Sequence, residues 1–295
     1  MPPYFRDGVS LRRAEAQWAT TLKWREENGM DEILSSYPEE NGMDYDIITK
    51  AFPWHIHLRD REKNLVSIER FGTIDFDTLK RRGPFHFQLS HRDHLLSTAL
   101  YSPSDNSLTH QSHRSSPFPT TPTTPINLIN PRRHRIGHDQ LIRHYQFQIE
   151  WLWTVAAPKD EDQITMIMDI ADITWDQVRD MGNMAIIKDR IKIGCEHYPN
   201  RAAVLIMANI PPWANAAYQF VSPLLSPATK SKLVFMTPEM IREGALTKYI
   251  APANLPSEYG GSSKVALGQS ETDKKQRRMV QSLTKAASKK GRRKR

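Results

Sequence analysis

Cysteine occurs once in the 295 residues, at Cys195, so no disulfide can close within the chain. A single thiol without a framework points to a reducing compartment, and the cytosol is the expected setting. The first residues, MPPYFRDGVSLRR, hold no apolar run, so no secretory signal is expected there. Glycine patterns that cradle phosphates, G-x-x-x-x-G-K-[ST] and G-x-G-x-x-G, do not occur, and neither does the G-x-S-x-G turn that presents a nucleophilic serine. HRD at 91–93 stands without a glycine-rich loop or DFG, which removes the kinase reading. Asp169 and Asp172 close an apolar run without a partner group and are expected to hold a turn. No constellation for covalent, metal or phosphoryl chemistry survives, and the expectation is a protein that is not an enzyme and needs no cofactor.

Acidic residues are missing from 274 to 295, where eleven are Lys or Arg, and the rest of the chain holds 30 basic against 33 acidic residues. The net charge of +8 therefore belongs to the carboxyl-terminal segment and not to the fold. Runs of like charge repel themselves, so 266–295 is expected to be a disordered basic tail. Such a tail suits an anionic membrane surface, at about 1 kcal/mol per cation near the headgroups. It also suits non-specific RNA contact or a nuclear address.

Charge of either sign is missing from 202 to 229, in a chain that is 25% Asp, Glu, Lys and Arg. A membrane-crossing helix would need roughly 20 apolar residues, but Pro211 and Pro212 interrupt this stretch and a proline pair breaks a helix. The stretch divides into a buried strand, 203–209, a proline-marked turn, and a helix over about 214–225 that is apolar nearly all round. Such a helix must be covered by protein or by lipid.

Elsewhere, 11–28 keeps Leu11, Ala14, Trp18 and Leu22 on one helical face, and 64–72 reads as a short strand. His55 and His57 alternate across an extended segment. DQLIRHYQFQIEWLWTV reads as a helix, QITMIMDI at 163–170 as a strand, TWDQVRDMGNMAIIKDRIKIGCEHYP as one long helix, and KLVFM at 232–236 as a last strand. Cys195 sits on that long helix among apolar neighbours and reads as buried and inert. Strands alternating with helices give an α/β fold, with a mostly parallel sheet and crossover helices.

The order of TLKWREENGMDEIL, IMDIADIT, YPNR, SPLLSPATKSKLVFM and KYIAPANLPSEYGG resembles the CRAL-TRIO lipid-binding family, in the lineage of the yeast secretory phosphatidylinositol/phosphatidylcholine transfer protein. The resemblance covers about 11–83 and 137–265, and NLPSEYGG is its most specific part. It implies a shortened amino-terminal helical element at 1–36 and a lipid-binding domain at 37–265, interrupted by an insertion at about 84–136. It also implies a sheet-floored pocket that encloses one lipid behind a mobile gate helix, here Trp213 to Leu225, in a monomer. Met166, Met168, Ile206, Ala208, Ala217, Phe220 and Leu224 are expected to line the pocket, with Asp189 near the headgroup. Trp213, Tyr218 and Phe220 are expected to touch membrane, since such aromatics settle at the interface. Each buried methylene is worth about 0.8 kcal/mol. A carrier must therefore offer an apolar interior to extract a lipid, and an uncharged strand followed by an uncharged helix supplies one.

Against the family pattern, Asp189 takes the place of an inositol-contacting glutamate. Ser222 stands for a lysine, and Asp7 and Gly8 stand for a basic pair. A phosphodiester without cationic partners loses charge-assisted hydrogen bonds. Ile164, Met166 and Ser67 replace the choline pattern and build no aromatic cage. A phosphatidylinositol-like lipid and a less polar one, such as a sterol, a fatty acid or an isoprenoid-like lipid, both remain open.

From Pro84 to Gly137, 21 of 54 residues are Ser, Thr or Pro, too polar a texture to offset ordering entropy, so the segment is expected to be disordered. Its histidine pairs, His91 with His94 and His110 with His113, have no carboxylate partner in view and are expected to be solvated. Pro119–Pro125 has polyproline spacing that an SH3 or WW groove accepts. The rival reading is an interaction protein with a vestigial pocket, using this insert and the basic tail to bind RNA or partner domains.

Overall fold

The computed structural model describes residues 10–42, 44–75, 137–157 and 163–293. The insertion at 84–136, with its histidine pairs and Pro119–Pro125, lies outside the described residues. Three helices come first: α1 (Leu11–Glu27), α2 (Ile33–Asn41) and α3 (Tyr45–Ala51). A hairpin follows, β1 (Trp54–Arg59) and β2 (Leu65–Arg70), and then α4 (His138–Trp151), which runs into a π-turn at Leu152–Ala156. The second half contains β3 (Ile164–Asp169), α5 (Trp175–Arg179), α6 (Met181–His197), β4 (Ala202–Ala208), α7 (Ala214–Val221), α8 (Pro227–Lys230), β5 (Leu233–Phe235), α9 (Pro238–Arg242) and α10 (Glu271–Arg293).

The five strands lie in chain order. β1 pairs antiparallel with β2, and β2 to β5 run parallel, as the alternation of strands and helices led one to expect. His55 and His57 fall in β1, the extended segment anticipated for them. The long helix expected at 174–199 is two, because Asp180 takes an extended backbone. Thr174 caps α5 through a capping box, and Asp180 caps α6 by accepting from the Asn183 amide. Two side chains with local acceptors thus offer the backbone two starts where periodicity suggested one.

Register decides what each face of the sheet does. Met166 lies beside Leu205, and Met168 beside Met207. Because side chains alternate, Glu69, Ile164, Met166, Met168, Leu205 and Met207 share one face. Val66, Ile68, Ile167, Ile206 and Ala208 share the other, with Ile241, Leu246, Ile250, Leu255 and Tyr259 packed over them. That second face is solid: Ile68, Ile206, Ala208, Leu246, Ile250 and Leu255 have no exposed surface. The chain after β5 forms this layer, and NLPSEYGG locks it. Gly260 has φ +80°, and a Cβ on Gly261 would lie 1.9 Å from the Leu255 carbonyl oxygen, so this turn requires both glycines.

Tyr259 donates to Asp169 Oδ2 at 2.8 Å, while Asp169 Oδ1 accepts from the Ala171 amide and from Asn209 Nδ2. Asp169 therefore holds the turn after β3. Tyr259→Phe is expected to lower the unfolding free energy by about 1–2 kcal/mol, measured by urea denaturation. An unchanged midpoint would mean that the remaining donors satisfy the carboxylate.

The segment expected to be a free basic tail is instead α10. It packs on β1 and α2, with Val280 1% exposed. A buried polar chain fixes it: Tyr45 donates to Gln276, Gln276 to Gln148, and Gln148 to Nε2 of His144, leaving the His144 Nδ1 proton to donate to Tyr37 at 2.7 Å. Ser270 caps the helix at the Asp273 amide, and Asp273 accepts from the Ile56 amide. A like-charged run becomes helical here because its apolar and amide positions fall on one stripe. Lys275, Arg278, Lys285 and Lys289 share the outer face and are exposed.

α1 docks on a face that keeps only Ala14 of the four apolar residues expected to mark it. Ala14 and Thr21 are buried, while Leu11 is 62% and Leu22 49% exposed. Directed contacts set the orientation. Trp24 stacks on His197 at 4.0 Å, Thr21 meets His197 Nδ1 at 3.2 Å, and Gln17 donates to the Glu196 carbonyl. Arg25 is bidentate to Glu150, which also accepts from Tyr198 at 2.6 Å, and this ties α1 to α4 and to the end of α6.

Candidate functional site: a sheet-floored cavity

The open face of the sheet does not fill. Between it and α1, α4, α6, α7 and α8 lies a cavity of about 1000 Å³. That is the upper end of the range for small-ligand sites, roughly 300–1,000 Å³. Its floor is Ile164, Met166, Met168, Leu205 and Met207, and its walls include Ile187 and Ile191 of α6. The uncharged stretch closes it through Trp213, Tyr218, Val221 and Leu225. Trp213 meets Trp175 edge-on at 5.5 Å, and Tyr218 meets Phe235 edge-on at 5.4 Å. Burial along β3 records the arrangement: Ile167 is 1% exposed, while its neighbours Met166 and Met168 are only partly buried, because they face open space.

Met166, Met168, Trp213 and Tyr218 thus stand on the cavity. Ile206 and Ala208 do not; they are fully buried in the opposite layer. The expectation joined even positions of β3 with even positions of β4, but Met166 lies beside Leu205, so the facing residues of β4 are the odd ones. Leu224 is 39% exposed, in the 3-10 turn that ends α7, and points away from the cavity that Val221 and Leu225 line. Ala217 and Phe220 lie on α7, and their side chains are outside the described residues.

Asp189 also lies off the cavity. Its Oδ2 meets His138 Nε2 at 3.0 Å, and this contact raises the His138 pKa. On α6 the positions that face the cavity include Met184, Ile187, Arg190, Ile191 and Gly194, a helical stripe to which Asp189 does not belong. Cys195 lines the cavity partly buried, and burial pushes its thiol up, which matches an inert thiol.

Two polar features were not anticipated. Arg13, Arg201 and Lys232 bring cations to the rim at the amino ends of β4 and β5, and Arg201 lies over the Trp153 ring at 4.2 Å. Deeper, Glu69 and Arg190 form an ion pair on the wall, 5% and 6% exposed. Burial pushes the Glu69 carboxyl up, and the Arg190 charge opposes that shift. Phe52 and Tyr145 cover the guanidinium at 4.1 and 4.4 Å. The signal for Arg190 was present in the sequence as a lone cation on the apolar stripe of α6.

Comparison with known proteins fits this architecture. The family model described as the CRAL/TRIO domain matches residues 53–261. The chain belongs to the CRAL/TRIO family. Its match to the SEC14 cytosolic factor of Eremothecium gossypii is 22% identical over 253 residues, 86% of this chain and 65% of that protein. The phosphatidylinositol/phosphatidylcholine transfer protein SFH9 of Arabidopsis thaliana is 22% identical over 262 residues, 87% of this chain and 35% of that one. Patellin-5 of Arabidopsis thaliana is 43% identical over 68 residues, 23% of this chain and 10% of that one. This CRAL/TRIO chain therefore spans less than two thirds of the length of each of these three relatives. Among the described residues, no helix is long and apolar enough to cross a membrane, and no group of three or more His, Cys, Asp or Glu could hold a metal.

Proposed function

We propose that this CRAL/TRIO protein binds one membrane lipid in the cavity and exchanges it between membranes, without catalysing a reaction. The carrying observation is the cavity of about 1000 Å³, floored by one apolar face of the sheet while the other face is packed solid. Its outer wall from 213 to 229 carries no charge, so opening that wall would set an uncharged surface against lipid. α7 and the turn after it are the moving element, with Trp213 and Tyr218 seated at the interface when open. The family match, and a relative whose name describes phospholipid transfer, support the same reading.

The basic stripe of α10 gives this protein a way to reach an anionic surface, Lys275, Arg278, Lys285 and Lys289 each adding about 1 kcal/mol at low salt. The deciding experiment is mass spectrometry of the native protein with its co-purifying lipid, followed by transfer between vesicles. One lipid per chain is expected, with transfer that slows in high salt. A protein that purifies empty and takes no lipid from vesicles would leave a vestigial pocket and sink the reading.

A further inference from the structure

Of the charged residues that line the cavity, the two that are buried are Glu69 of β2 and Arg190 of α6, which meet each other. Arg190 Nη1 contacts Glu69 Oε1 as an ion pair, yet neither atom makes a well-formed hydrogen bond. Arg190 Nε has none either; all three atoms are shut away from water, and what the pair presents to the cavity is the 7% of each side chain that stays exposed. Unmade hydrogen bonds of this kind are costly and rare. Rings cover the guanidinium, so the directions left to its N–H groups lie in its own plane.

Glu69 registers beside Met168, and Met168 beside Met207. The pair therefore stands near the carboxyl ends of the strands, roughly 15–20 Å from the level of Arg201 and about 10 Å from that of Lys232 at the rim, at about 3.3 Å per residue. Rim and pair are two separate polar stations with an apolar floor between them.

Charge and hydrogen-bond capacity select what fits the inner station. A quaternary ammonium would face Arg190, and a carboxylate or phosphate would face Glu69. A neutral hydroxyl satisfies both, donating to the part of the Glu69 carboxylate and accepting from the part of the Arg190 guanidinium that remain exposed to the cavity. We propose that Glu69 and Arg190 bind the neutral hydroxyl of the cargo, which makes that cargo a lipid alcohol of the long-chain, sterol or acylglycerol kind. This rests on the carrier reading above and names the chemical class that it left open.

The test measures equilibrium binding of three radiolabelled probes of one chain length, hexadecan-1-ol, methyl hexadecyl ether and hexadecanoate, to the full chain at neutral pH. The alcohol is expected to bind about tenfold more tightly than the ether, which has lost the donated proton, and more tightly than the carboxylate. Glu69→Gln keeps an acceptor but removes the negative charge, so that variant is expected to turn the preference toward hexadecanoate. If it fails to fold, the ranking by the unaltered protein decides alone. Equal binding of alcohol and ether would make the pair purely structural and overturn the proposal, while the carrier reading would stand. Preference of the unaltered protein for hexadecanoate would overturn it in favour of an anionic cargo. Binding of none of the three would overturn both.

Discussion

Met207→Asp is expected to leave a folded protein that no longer loads lipid, while Ile206→Asp, one residue earlier, is expected to prevent folding. Met207 faces the cavity and is partly exposed; Ile206 has no exposed surface and lies in the packed layer under Leu246 and Leu255. A carboxylate at 207 is hydrated in the empty cavity and becomes unpaired only when a lipid covers it. Its desolvation then counts against the cargo, at about 3–5 kcal/mol, or at least a hundredfold in loading. At 206 the same carboxylate has no water in the folded state at all, and a loss of about 5 kcal/mol consumes most of the stability of an ordinary domain. Circular dichroism separates folded from unfolded chains, and quantification of co-purified lipid separates loaded from empty ones. Two variants with the same phenotype would refute the assignment of the two faces.

That pair of substitutions also marks where sequence reasoning stops. Strand existence was legible because apolar runs such as ITMIMD and AAVLIMA are short and bounded by turn residues. The parallel order followed from alternation with helices. Register did not follow, since both faces of these strands are apolar and no alternation of polar and apolar residues says which is which. Met166 and Met168 of the expected lining stand on the cavity, as do Trp213 and Tyr218, which were expected to touch membrane, while Ile206 and Ala208 were misplaced for that reason.

α10 illustrates a different limit. The eleven cations of 274–295 made the segment look self-repelling, but Gln276 and Val280 carry the docking, through Gln148, His144 and the surface near Tyr37. Their partners lie more than a hundred residues away, and local composition holds no record of them. Asp189 was carried onto the site by resemblance alone. The angle between Asp189 and Arg190 on one helix, about 100° per residue, suffices to send the first to His138 and the second into the cavity.

Lowering the pH from 7 to 5 is expected to cost the fold about 4 kcal/mol, because two buried histidines must stay neutral in it. His144 sits in the polar chain beneath α10, and burial pushes its pKa down to about 3. His197 sits under Trp24, and burial pushes its pKa down to about 4. In the unfolded chain both return to about 6.5 and take up protons as the pH falls below that value, so protons favour unfolding. Little effect is expected above about pH 7.5, and the loss keeps growing until the folded values are reached.

His57, also lowered by burial, acts in the same direction, and His138, raised by its contact with Asp189, acts in the opposite one. His55, lowered to about 4, and Asp273, raised to about 6, lie 3.8 Å apart and pull in opposite directions, so that pair contributes little. Urea midpoints measured at pH 7 and pH 5 check the total. His144→Gln is expected to remove about half of the difference while weakening the α10 contact at both pH values. Identical midpoints for the unaltered protein at pH 7 and 5 would show that these imidazoles find protonated arrangements in the folded state. The polar chain from Tyr45 to Tyr37 could not then hold His144 with Nε2 as its acceptor, and the docking of α10 would need another explanation.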